Sequence, residues 1–194
     1  MAVSRGATSS LVQGLPKYRS MLGGNSAYDP AATFLIQRIN PTSGTSVTFS
    51  SIPQTYSILQ VRFSLIVAGG DNILFRLNGD SGLNYSVHGI NINSASNAII
   101  NYGQASSQYG FVLGYGGTSG TTPSYPNVGM FNIIDYSKTN KAKSAISLVG
   151  MNKKPGGNIE YDSTAWLSTS AVNSITVYPG TMSSGSTIAL YGMV

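Results

Sequence analysis

The chain has a single histidine, His88, in the stretch NYSVHG, and no cysteine. A Ser–His–Asp hydrolase would need His88 as its general base, yet no serine lies in a G-x-S-x-G nucleophile elbow. The lack of cysteine removes disulfides, thiolate chemistry and the usual zinc-ligand spacing. His88 is therefore predicted to lie in a strand or loop with local hydrogen bonds.

The chain has only six acidic residues. Glu160 and Asp162 would share one face of an extended segment, and two carboxylates can flank the bond that a glycosidase cleaves. The alternative is that both carboxylates belong to the polar rim of a loop beside Lys153 and Lys154.

The stretch NGDSGLN supplies Asn78, Asp80 and Asn84 as oxygen donors, in part like a calcium-binding loop. It lacks the acidic residue that closes an EF-hand site. A turn between two strands explains Asn-Gly-Asp without a metal. We therefore predict no cofactor, and the sequence alone does not decide whether a calcium ion binds near Asp80.

The stretch GYGGTSG is glycine-rich but matches neither the dinucleotide-binding pattern nor a P-loop. Tyr115 and Tyr125 flank it. An aromatic loop of this kind could stack on a sugar ring, or it could be an exposed loop or a subunit contact. We call Tyr109, Tyr115, Tyr125 and Trp166 the distal-loop aromatics, and they are candidate contacts with a ligand or a partner.

The composition indicates a protein that assembles with partners. Of the 194 residues, 41% are hydrophobic and only 9% are charged. Charge this low favours a surface covered by partners, because the centres of interfaces are depleted of charge. The net charge of +5 is dispersed apart from Lys138, Lys141 and Lys143, which Asp135 partly offsets, so direct binding of nucleic acid is not expected.

No signal peptide or membrane-spanning run is recognisable, which predicts synthesis and assembly in the cytoplasm without export by a cleaved signal, and no membrane association.

From Thr33 onward the sequence alternates as β-strands do. In YSILQVRFSLIV, the residues Leu59, Val61 and Phe63 point one way, and Phe75 and Leu77 repeat the pattern in ILFRLNGDSG. We expect these five residues in the core, on two adjacent strands. FNIIDYS and AKSAISLVG are predicted to form a hairpin around KTNK, and STAWLSTSA a short edge strand or turn. Eight to ten strands and no helix predict an all-β, antiparallel sandwich over residues 33–194.

Residues 1–32 lack any such period and are predicted to be an extended N-terminal arm. Their scattered apolar and basic residues cannot form a core alone. We expect the arm to contact other chains and to order on binding. The candidate contact residues of the arm are Arg5, Leu11, Val12, Leu15, Tyr18 and Arg19.

Four stretches in a fixed order carry a resemblance to a known group of proteins: SSIPQTY, NGDSGLNY, IIDYSKTNK and ALYG. With the runs around them, they resemble small virion structural proteins of tailed bacteriophages, particularly cyanophages and other aquatic phages. The resemblance extends from Thr33 to Met193, and SRGATSSLVQGLPKYRSMLGGN resembles the preceding arm. The chain departs from that pattern at Leu77, where phenylalanine is more usual after arginine.

The resemblance implies a non-enzymatic, jelly-roll-like virion protein on the surface of the phage particle. One expectation is a capsid decoration (cement) protein, a homo-oligomer with a trimer favoured, which binds the major capsid protein or other virion proteins. Several arms tied together would hold far more strongly than one. The alternative is a tail fibre or baseplate module that contacts host glycan through the distal-loop aromatics.

Overall fold

The structure is a computed structural model, and it describes residues 33–68, 71–93, 98–108, 110–116, 125–152 and 156–194. These residues form fourteen strands and no helix. The strands are β1 (Thr33–Ile39), β2 (Val47–Phe49), β3 (Ile58–Leu65), β4 (Val67–Ala68), β5 (Asp71–Leu77), β6 (Tyr85–Asn93), β7 (Ala98–Gln108), β8 (Phe111–Gly116), β9 (Asn127–Ile134), β10 (Lys143–Asn152), β11 (Gly157–Trp166), β12 (Ile175–Tyr178), β13 (Thr181–Met182) and β14 (Thr187–Met193). The predicted arm, residues 1–32, lies outside the described residues.

The strands form two main layers. The larger sheet has eight strands in the order β1-β14-β3-β9-β10-β11-β6-β7, and the smaller has four in the order β2-β12-β5-β8. All the pairings are antiparallel, and β4 and β13 form a separate two-stranded pair. The predicted all-β, jelly-roll-like antiparallel sandwich is confirmed.

The core lies between the two layers, as the alternation in the strands predicts. Leu59, Val61 and Phe63 on β3 and Phe75 and Leu77 on β5 are all buried, which confirms the five predicted core positions. The prediction of two adjacent strands was wrong, because β3 and β5 belong to different sheets. The two sets of side chains therefore meet across the sandwich.

Aromatic rings join the layers. The ring of Phe75 on the smaller sheet lies 4.9 Å from that of Phe131 on the larger, between ring centroids. Phe111 on β8 lies 5.3 Å from Phe131 and 5.0 Å edge-on from Tyr85. These contacts fix how the smaller sheet sits on one face of the larger sheet and leave the opposite face without a covering layer in the described part of the chain.

One local prediction needs correction. The segment around Trp166 is neither an edge strand nor a turn, since Trp166 ends β11, which lies between β10 and β6. The segment around His88 was predicted to be either a strand or a loop, and it forms the strand β6. The hairpin of β9 and β10 is confirmed by their antiparallel register.

The part of the chain that the structure describes holds no helix long and apolar enough to cross a bilayer.

Candidate interaction surface

The uncovered side of the larger sheet carries large apolar side chains that are open to solvent. We call this set the apolar face. Each member is between 41% and 74% exposed. Its eight members are Ile90, Ile92, Ile99, Val128, Met130, Leu148, Ile159 and Tyr161.

The strand register aligns these residues into two neighbouring rows. The first row runs from Met130 through Leu148 and Tyr161 to Ile90, on β9, β10, β11 and β6. The second row runs from Val128 through Gly150 and Ile159 to Ile92 and Ile99, and so reaches β7.

Side chains directly opposite on antiparallel strands are neighbours, so the first row is continuous, and the second is continuous except at Gly150. Ile134 and Ile146, also exposed, extend the apolar surface along β9 and β10.

A depression interrupts the second row at Gly150. Val128, Met130, Leu148 and Ile159 line it together with Gly150 and, on the β3 side, Arg62. A Cβ built on Gly150 would come no closer than 3.8 Å to any neighbour, the carbonyl oxygen of Asn158. The fold therefore leaves room for a side chain at this position, and the space is open to an incoming group.

One side of the apolar face ends at a polar network on β3 and β9. The guanidinium of Arg62 lies 4.5 Å above the ring of Tyr191, and its Nε donates to Oε1 of Gln60. Gln60 in turn donates to Oδ1 of Asn132 at 2.7 Å. Arg62 thus lies over Tyr191 at the β3 end of the first row, where it is in register with Met130.

His88 is found on the same outer side of β6, in register with Ser163 on β11 and Gly103 on β7. Its ring covers Gly103 closely, since a Cβ there would lie 2.6 Å from the Cδ2 of His88. His88 is therefore an exposed strand residue beside the apolar face. Its position in a strand was among the expectations from sequence.

Glu160 and Asp162 do share one face of β11, as expected, but that face is the inner one. They are 4% and 0% exposed, so the prediction of a polar loop rim was wrong. Oε1 of Glu160 accepts hydrogen bonds from Asn91 and Asn158, and Oδ2 of Asp162 accepts one from Ser147 at 3.1 Å. A polysaccharide cannot reach carboxylates at this depth without the sandwich opening.

Asp80 belongs to a hydrogen-bonded turn. Asn78 and Gly79 have positive φ values of 53° and 68°, as the central residues of a type I′ turn do, and the backbone N–H of Asp80 donates to the carbonyl oxygen of Leu77 at 3.0 Å. The turn leads from β5 in the smaller sheet to β6 in the larger. The carboxylate of Asp80 accepts from the indole Nε1 of Trp166 at 2.7 Å, from the backbone of Gly82 at 2.8 Å and from the side-chain amide of Asn84.

Partial burial raises the pKa of Asp80, but these hydrogen bonds outweigh it and hold the pKa below its usual value. These donors to the carboxylate are all N–H groups, so the geometry stabilises a turn. Within the described residues no cluster of three or more histidine or acidic side chains could hold a metal ion.

The candidate aromatic contacts are not brought together on one open surface. Trp166 is 3% exposed and its ring lies against Tyr85, with 6.3 Å between the centroids, so the expectation that it contacts a ligand at the surface is wrong. Tyr125 is half-buried. The described part of the structure does not include Tyr109, the side chain of Tyr115, or the arm residues Arg5, Leu11, Val12, Leu15, Tyr18 and Arg19.

The basic cluster near β10 is divided between surface and interior. Lys143 is fully buried, and its Nζ donates to the carbonyl oxygens of Lys141 and Thr169 at 2.9 and 3.1 Å. Burial, followed by the nearby charge of Lys141, lowers the pKa of Lys143. Lys141 instead pairs with Asp135, and this hydrogen bond lowers the pKa of Asp135.

No protein-family model matches the chain, and no curated protein matches it either.

Proposed function

We propose that the chain is a non-enzymatic structural protein of a tailed-phage virion, most specifically a capsid decoration (cement) protein. The observation that carries the proposal is the apolar face: eight large apolar side chains exposed together on one sheet. Monomeric proteins rarely expose a contiguous apolar patch of more than a few hundred Å², and larger patches mark interaction sites.

The interior supports a structural role over catalysis. Glu160 and Asp162 are buried and accept hydrogen bonds from amide and hydroxyl side chains, which suits a fixed interior network. The carboxylate of Asp80 is bound within its own turn. In both places the carboxylates support the sandwich.

The step from an assembling sandwich to a virion rests on the sequence resemblance. A cement protein stabilises a head by bridging neighbouring capsid subunits, and it needs both a contact surface and several points of attachment. The apolar face would join the subunits into a homo-oligomer, and the arms of that oligomer would supply the points of attachment to the capsid. The tail fibre alternative needs an open aromatic platform, and the burial of Trp166 removes one of its four candidate residues.

Cryo-imaging of intact virions with a labelled copy of the protein tests the proposal. Density in regular array on the head supports the cement role, whereas density only on the tail supports the fibre alternative. Absence of the protein from purified virions by mass spectrometry contradicts both. As a functional readout, heads lacking the protein should release DNA at a lower temperature, and adding the purified protein should restore their stability.

A further inference from the structure

We infer that the apolar face is the contact between copies of this chain, so that the occupant of the face is the same face of another subunit. This inference deepens the proposed function, on which it rests, by naming the surface and the partner of the oligomer. Its support is the extent, the charge and the shape of the apolar face.

The outer side of the five strands β9, β10, β11, β6 and β7 is large enough for a stable contact, and the two apolar rows form about half of it. The rest also holds polar residues such as Asn132 and Ser163. Strands lie about 4.8 Å apart with a rise of about 3.3 Å per residue, so five strands over about eight residues cover roughly 600 Å². Two such faces would bury roughly 1,200 Å² together, which reaches the range of specific, stable interfaces. Ile134 and Ile146, which are 54% and 42% exposed, account for part of this length.

The charge of the apolar face favours a second copy as the occupant. Arg62 continues the first row at its β3 end and lines the edge of the depression, and neither row contains a charged residue from β9 to β7. Two copies can therefore approach without placing like charges opposite each other, which would cost several kcal/mol. A strongly acidic or basic partner would find no opposite charge to pair with in these rows.

The shape of the apolar face is also suited to self-contact. Ile99 is 74% exposed and Tyr161 is 51% exposed, so both side chains project from the sheet. Gly150 on β10 leaves a depression beside them, on the side towards β9. Facing sheets pack about 10 Å apart with interdigitating side chains. A projecting side chain of one copy can enter the Gly150 depression of the next.

Sedimentation velocity across the micromolar range tests the inference on the full-length chain and three variants. We expect the wild type to be a dimer, because a contact between two identical faces closes after two copies. Leu148→Glu should weaken association about a hundredfold or more, because it buries an unpaired carboxylate at the centre of the contact. The matched control is Leu167→Glu, because Leu167 is 55% exposed but lies after β11, outside the sheet, and it should associate as the wild type does.

Gly150→Gln keeps the test decisive if Leu148→Glu fails to fold, which circular dichroism would reveal. A Cβ at Gly150 makes only ordinary contacts within the chain, so this variant should fold normally and still weaken association by filling the depression. A wild type that stays monomeric overturns the inference. So does a folded Leu148→Glu or Gly150→Gln variant that associates like the wild type.

The two proposals fail in different ways. If the wild type is monomeric in solution but is present on virions, the self-contact is wrong and the virion role stands. Loss of virion binding by Leu148→Glu in that case would assign the face to another virion protein. If the wild type self-associates through the face but is absent from virions, the virion role is wrong and the self-contact stands.

Discussion

Replacing Phe75 by alanine removes the ring that joins the two sheets. Phe75 is fully buried, and its ring centroid lies 4.9 Å from that of Phe131 and 6.2 Å from that of Phe63, both on the opposite layer. Truncating a buried phenylalanine costs about 3–5 kcal/mol. We expect the upper part of that range, because each aromatic pair adds about 0.5–1.5 kcal/mol beyond its burial.

The assay is urea unfolding of wild type and Phe75→Ala at one fixed protein concentration, since self-association would add to the apparent stability. A loss of about 4 kcal/mol corresponds to a fall in Tm of about 8–16 °C for a domain of this size. Leu167→Ala is the control, and it should change stability by less than about 0.5 kcal/mol, because Leu167 is exposed. A loss below about 1 kcal/mol for Phe75→Ala would refute the packing of the sheets described above.

A Phe75→Leu and Phe131→Leu double-mutant cycle checks the same contact, and should give a coupling energy of about 0.5–1.5 kcal/mol.

Three further predictions concern a close approach, a titration and the arm. Gly129→Ala should destabilise the fold by about 1–3 kcal/mol, because a Cβ there would lie 2.5 Å from the ring of Phe63, whereas Gly150→Ala should be almost neutral in the same urea assay. The pKa of Asp80 is lower in the folded state than its usual value, so its carboxylate contributes stability above about pH 4 that is lost as the pH falls through the folded pKa. Asp80→Asn should remove that acid-dependent component, and an unchanged pH profile of unfolding would count against the hydrogen-bonded turn. Deleting residues 1–28 should leave the circular dichroism spectrum of the sandwich intact but abolish binding to virions, and full occupancy by the truncated chain would exclude the arm as an attachment.

The strands and the core were predictable wherever one face is apolar and the other polar. In β3, Leu59, Val61 and Phe63 are buried and Arg62 is exposed, as the alternation predicts, whereas Gln60 on the polar side is buried in its hydrogen bonds to Asn132 and Arg62. The placement of β3 and β5 in opposite layers was not predictable, because alternation identifies the buried face of a strand but not the sheet that the strand joins. Trp166 was misplaced for a related reason, since an aromatic residue near polar neighbours is typical of both a loop and the end of a central strand.

The apolar face was missed although its signal is visible in the sequence. In MFNII of β9, both Met130 and Phe131 are apolar, and in AISLVGM of β10 both Leu148 and Val149 are. A strand with apolar residues on both faces is typical of burial on both sides. The smaller sheet covers the side of the larger sheet that carries Phe131 and Val149, and the side that carries Met130 and Leu148 stays open to solvent. Only the position of the smaller sheet distinguishes the two sides.

Hydroxyl-radical footprinting of the wild-type chain tests most directly whether another copy covers the apolar face. Met130 is 41% exposed in the single chain and Tyr161 is 51% exposed, so both should react readily if the face is open. A self-contact through the apolar face predicts that Met130 and Tyr161 are protected at concentrations where the chain self-associates. Both should become reactive on dilution and in the Leu148→Glu variant, while Leu167, the control, should stay reactive throughout. Equal reactivity of Met130 and Tyr161 at every concentration, matching the exposure in the single chain, would contradict the self-contact.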